Sequence, residues 1–144
     1  MNRMGRYMAL AALLAAAFMN GACSRSLSKG IDENGVPDEV KWPDLRDKHV
    51  MREATTPNTE NLAKLRVGMN KSDIYNLLGA PHFREMFGAR EWDYMFRYQQ
   101  GNETQICQFK IIFDDDKLAG TFHWNPEGCG RHFGITEPLP AAHR

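Results

Sequence analysis

The chain has no excess of charge of either sign. Its 144 residues hold 18 Lys+Arg against 18 Asp+Glu, so the formal net charge is zero. No global basic field points to nucleic acid as a partner. Cysteine is scarce, at three, and no C-x-x-C pair occurs. The spacing of Cys107, His123, Cys129 and His132 matches no familiar zinc finger. There is no Gly-x-Ser-x-Gly and no Cys/His pairing set for nucleophilic attack. Asp114, Asp115 and Asp116 lack the alternating ligands, central Gly and distant Glu of a calcium loop, and read as a solvated hairpin turn. Arg90, Arg97, Lys110 and Lys117 fall on outward or turn positions and read as a solvated face. No catalytic residue, metal or cofactor is therefore expected. Long apolar runs are absent too: the run from Tyr7 to Met19 is shorter than the roughly 20 residues a spanning helix needs.

What the N-terminus does hold is ordered like an export signal. Arg3 and Arg6 precede the Ala/Leu-rich run, and Gly21, Ala22 and Cys23 follow it. The arrangement resembles a bacterial lipobox, although Asn20 stands where an aliphatic residue is usual. An ordinary signal peptide followed by a chance cysteine is the plainer alternative. Under the lipobox reading residues 1–22 are removed and Cys23 carries acyl chains that anchor the protein to outer-membrane lipid. Ser24 after it, by analogy with Gram-negative lipoproteins, implies outer-membrane sorting. Residues 1–22 contain two arginines and no acid, which leaves 16 basic and 18 acidic side chains.

Residues 23–57 read as the lipidated cysteine and a flexible tether. Ser24, Ser26, Ser28, Gly30, Gly35, Pro37, Pro43 and Pro57 interrupt any apolar pattern, and Trp42 is its one sticky residue. Folded structure is expected over 58–129. Asn58 or Thr59 can cap a first helix carrying Leu62 and Leu65, and Gly68 fits its end. Asn70, with Asp73 three residues later, can cap a second helix whose Ile74, Leu77 and Leu78 form one stripe. Gly79 and Pro81 end it. Helices this short need a sheet to lie on.

The sheet follows. Trp92, Tyr94 and Phe96 alternate with Asp93, Met95 and Arg97, the period of a half-buried strand. Gly101-Asn102 makes a turn. Cys107, Phe109, Ile111 and Phe113 share a face opposite Ile106, Gln108, Lys110 and Ile112. A third strand places Leu118, Phe122 and Trp124 on one side, and residues 130–144 read as a loose tail. The fold class expected is α+β, two short helices packed on a three-stranded antiparallel sheet in the order ααβββ. Cys107 and Cys129 are expected to pair, because export favours oxidation and a short excursion past Trp124 returns the chain over strand two.

The runs KLRVGMNKSDIYNLLGAPHF, FGAREWDYMFRY and FKIIFDDDKLAG together resemble the SmpA/OmlA (BamE-like) family of outer-membrane lipoproteins. The shared features are R-x-G-M before the second helix, L-G-x-P after it, F-G before the first strand and W-x-Y-x-F on that strand. The likeness implies a non-enzymatic accessory subunit of the β-barrel protein assembly machinery, facing the periplasm. It implies contact with barrel-assembly subunits or other envelope proteins, and with anionic phospholipid, through Phe87, Gly88, Asp93, Met95 and Arg97. The family often has an aromatic where Asp93 stands. A free-standing envelope-integrity or stress lipoprotein of the same fold, with a different protein partner, is the second reading.

Overall fold

The computed structural model describes residues 27–46, 52–84 and 90–136. The expectations placed on the signal peptide, Cys23, Phe87 and Gly88 lie outside these residues.

Two short helices, α1 (Thr59–Leu62) and α2 (Lys71–Leu78), precede four strands, β1 (Phe83–Arg84), β2 (Glu91–Gln100), β3 (Glu103–Phe113) and β4 (Ala119–Asn125). The strands lie side by side in chain order, all neighbours antiparallel. This is the expected α+β arrangement, three long strands under two helices, with the two-residue β1 added at the edge.

Local chemistry sets the helix ends. The Asn58 side chain accepts the Asn61 amide, and that of Asn70 accepts the Asp73 amide, each satisfying a donor the helix itself cannot pair. Gly79 closes α2 at φ 77°, a left-handed conformation that costs other residues energy. Gly68 does not cap α1, which stops at Leu62; its amide instead donates to the Ala119 carbonyl at 2.7 Å and ties the inter-helix turn to β4. Asn61 Nδ2 donates to the Leu77 carbonyl at 3.1 Å and joins the two helices.

The two-residue turn at Gly101 and Asn102 sets the β2–β3 register, with Gln100 opposite Glu103 and Phe96 opposite Cys107. One sheet face meets the helices. Trp92, Tyr94, Phe96, Cys107, Phe109, Ile111 and Phe113 are buried there with Leu62, Leu65 and Ile74. At about 25 cal/mol per Å² of apolar surface, such a face is what makes one- and two-turn helices stable.

The third long strand departs from strict alternation. The β3–β4 register shifts between Ile112 and Phe113, so that Ile111 faces Phe122 but Phe113 faces Ala119. A bulge changes the parity of every residue beyond it. Ala119 therefore enters the core in place of Leu118, which stays half-exposed.

Two expectations of looseness are corrected. Past β4, a 3-10 helix over Cys129–Phe133 folds back, and Phe133 and Ile135 are buried against the aromatic cluster. Phe133 lies 5.9 Å from Phe96 and 6.0 Å from Trp124 between ring centroids. Residues 27–46, read as part of a flexible tether, form an arm against the sheet face turned away from the helices. Their low hydrophobicity hid this, because the arm is held by polar contacts rather than by a core of its own.

Candidate partner-binding surface

Alternation puts Asp93, Met95, Gln108, Lys110 and Ile112 on that second face. Open water there would suit the charges. Instead Glu91, Asp93, Met95, Gln108, Lys110 and Ile112 are all buried, Lys110 completely. Burying charge is costly unless it is paired. Here Lys110 Nζ donates to Asp93 Oδ2 at 2.9 Å and to Glu91 Oε2, one cation between two carboxylates. Asp93 and Lys110 are also cross-strand neighbours. Lys110 was expected to be solvated, and Asp93 and Met95 to present an outward partner face; both expectations are corrected by this burial.

The arm supplies much of the cover. Ser28 donates its amide and its hydroxyl to the Glu91 carboxylate. Trp42 sets its ring 5.7 Å from Lys110 Nζ, within cation–π range. Gln108 Nε2 donates to the Pro43 carbonyl at 2.7 Å, and Asn125 Nδ2 donates to Gln108 Oε1 at 2.6 Å. Thr121 Oγ1 donates to the Gly35 carbonyl at 2.7 Å. Gly120 permits the close approach, since a Cβ there would stand 2.2 Å from the Asn34 carbonyl oxygen. Arg90 donates to the carbonyls of Ile31 and Asp32 and pairs with Asp115. The His123 imidazole beside Lys110 has its pKa lowered, first by burial and then by that cation.

A second contact closes the free edge of β2. The Thr55 amide donates to the Met95 carbonyl at 3.0 Å, and the Arg97 amide donates to the Thr55 carbonyl at 2.8 Å. His82 completes the seam: the Met95 amide donates to Nδ1 at 3.1 Å, and Nε2 stands 2.8 Å from the Glu53 carbonyl. Only a neutral ring protonated on Nε2 satisfies both bonds. Burial accordingly lowers the His82 pKa against a smaller opposing pull from Glu53. Arg97 is half-buried and donates through Nη2 to the Arg52 carbonyl.

The surface left open is on the helix side. Tyr75 is 51% exposed, the largest such value among the large apolar side chains of the described residues. It lines a shallow groove with Lys71, Ser72, Asn76 and Trp92. Lys71 Nζ lies 4.6 Å from the Phe113 ring centroid and 5.8 Å from that of Trp92. Burial, then Lys117, lowers its pKa. Arg84 is the β1 partner of Trp92 across the β1–β2 pairing.

Elsewhere the structure joins Cys107 to Cys129, with Cα atoms 5.9 Å apart. Among the described residues no three His, Cys, Asp or Glu side chains are grouped to hold a metal. No helix among them is long and apolar enough to cross a membrane. Reading the sequence missed Ser28, Glu91 and His82, whereas Trp42, the one sticky residue of the expected tether, does dock on the domain. The Asp93–Lys110 pair had a signal, because a turn at 101–102 sets those two opposite each other. The other arm contacts had none.

Residues 54–122 match the family model described as the outer membrane protein assembly factor BamE domain. Among curated proteins, the outer membrane protein assembly factor BamE of Psychrobacter arcticus is 41% identical over 44% of this chain and 54% of its own length. That of Nitrosomonas europaea is 30% identical over 54% of this chain and 48% of its own length. That of Polynucleobacter necessarius is 30% identical over 43% and 28%. The chain thus spans about half, or less, of the curated relatives it matches. The likeness seen in the motifs is real, and it runs through the helices, β1, β2, β3 and the start of β4, beginning beyond the arm.

Proposed function

We propose that this chain, with a BamE domain over residues 54–122, is a non-enzymatic accessory subunit of the machinery that assembles β-barrel proteins in the outer membrane. The observation that carries the reading is that domain match, on a fold of two short helices followed by an antiparallel sheet. Acylation of Cys23 would anchor it to outer-membrane lipid with the domain in the periplasm. Residues 1–22 would be its signal peptide, and its folded domain would extend through Ile135, which packs in the core.

The structure changes where a partner would dock. Asp93 and Met95 are buried, so contact through them needs the covered face to open. Among the described residues the exposed Tyr75 groove is available without rearrangement; Phe87, Gly88 and the half-exposed Arg97 are the further candidate contacts. An aromatic beside cationic side chains suits both an envelope-protein partner and anionic phospholipid.

Co-purification of the full-length, tagged lipoprotein from detergent-solubilised membranes tests the reading. Barrel-assembly subunits should be recovered, and Tyr75→Glu or Phe87→Ala should reduce that recovery while leaving the fold intact. Recovery of a different envelope protein in place of those subunits would support the free-standing lipoprotein instead. Cys23→Ser should release the protein from the membrane fraction.

A further inference from the structure

We propose that the sheet face turned away from the helices is a binding surface for a polypeptide segment, and that residues 27–43, folded back as a hairpin by the Lys29–Glu39 bridge, are its built-in, displaceable occupant. This stands apart from the assembly-machinery reading, since it concerns which segment of the chain lies on that face.

Three observations converge on it. The face has the make-up of an interface: Met95 and Ile112 are apolar, Glu91, Asp93 and Lys110 are charged, and all five are buried. Its contacts with the arm fall at the ends and the tip of the hairpin. A carboxylate takes an amide and a hydroxyl from Ser28, a carboxamide donates to the Pro43 carbonyl, a hydroxyl donates to the Gly35 carbonyl, and a cation receives the Trp42 ring. Four of these five features meet the arm's backbone or a small hydroxyl, groups that other polypeptide segments also carry.

The arm itself is lightly held. Gly35 is the one buried residue of 27–46, no residue of the segment belongs to the hydrophobic core, and Leu27 and Val36 are 42% and 49% exposed. Lifting the arm also returns water to Lys110, Glu91 and Asp93. The desolvation penalty of a buried ionic cluster is then relieved, which offsets part of the lost contacts. A cover built from polar contacts over buried charge opens more easily than a core element does. The opened face carries two carboxylates against one cation beside Met95 and Ile112. It therefore favours an incoming segment rich in amide and hydroxyl donors, with an aromatic residue to replace Trp42.

Adjacent residues of β3 provide the test. Ile111 and Ile112 are both fully buried, but Ile111 belongs to the core against the helices, while Ile112 lies between Glu91 and Thr121, which the arm holds. In the full-length chain, a maleimide should label the thiol of Ile112→Cys at least about tenfold faster than that of Ile111→Cys, because local opening precedes global unfolding. Adding Trp42→Ala should accelerate the first and leave the second unchanged. A synthetic peptide of residues 27–46, added to the Trp42→Ala background, should slow labelling at position 112 in a saturable way. Equal labelling rates at the two positions would overturn the displaceable cover. Failure of the peptide to protect position 112 at millimolar concentration would overturn the binding surface.

Discussion

Ser28 donates both its amide, at 2.5 Å, and its hydroxyl, at 3.0 Å, to the carboxylate of Glu91, 63 residues further along the chain. That carboxylate also accepts from Lys110. A segment that composition alone would leave in solvent is thereby tied to the first residue of β2. Charge-assisted hydrogen bonds of this kind are roughly twice as strong as neutral ones, and polar ties rather than apolar contacts set the arm's position.

The Glu91–Lys110–Asp93 cluster should behave as a unit. Lys110→Met strands two buried carboxylates and should cost about 3–5 kcal/mol. The neutral triple variant Glu91→Gln/Asp93→Asn/Lys110→Met should recover most of that loss. Urea denaturation of the two proteins at neutral pH measures the difference. A single variant as stable as the triple would show that the cluster is not coupled.

Gly120→Ala tests the approach of the arm. The added methyl would lie 2.2 Å from a backbone oxygen, that of Asn34, which cannot rotate away. The cost should be about 1–3 kcal/mol and should fall on the arm, so that limited proteolysis cuts within residues 27–46 while the domain resists. Cleavage distributed equally over the domain would point to a core defect instead.

His82 gives the seam beside β2 a pH dependence. Its pKa in the folded protein lies below the ordinary 6.5, because burial disfavours the charged ring. The unfolded chain then binds more protons, so stability rises with pH. The contribution is fully present above pH 6.5 and is lost as pH falls through the folded-state value. His82→Gln should flatten the fall in stability between pH 7.5 and about 5 relative to the parent. His123, shifted in the same direction, keeps some slope in the variant. Identical slopes in the two proteins would remove His82 from the account.

The Cys107–Cys129 bond spans a sequence separation of 22. Loop-closure entropy for a loop of that size gives about 3 kcal/mol. The Cys107→Ala/Cys129→Ala pair should lose about that much in denaturant midpoint terms, and hydrogen exchange at Phe133 and Ile135 should accelerate more than at Ile74. Uniform acceleration across the domain would mean that the bond does not specifically hold the C-terminal turn.

Hydrophobic period was enough to place α2, β2 and β3. Ile74 and the Trp92, Tyr94 and Phe96 row point into the core because alternation leaves them no other face. The asparagine caps were equally legible, since Asn58 and Asn70 act on amides three residues away. The bulge near Gly120 was not. It sits where the arm crosses at Asn34 and Gly35, a contact between segments more than 80 residues apart, and the alternation of Leu118, Phe122 and Trp124 misled at Leu118.

The candidate surface divides the same way. Sequence alone determined which side chains share a strand face, and with the turn at Gly101 and Asn102 it determined that Asp93 opposes Lys110. Only the tertiary structure decided whether that face meets water. Alternation reports two sides of a sheet and is silent on what covers the second. The cover here is polar, and its partners are hydrogen-bonding groups that any loop possesses. Such groups acquire meaning only when folding brings Ser28, Gly35 and Pro43 within 3 Å or so of their acceptors and donors.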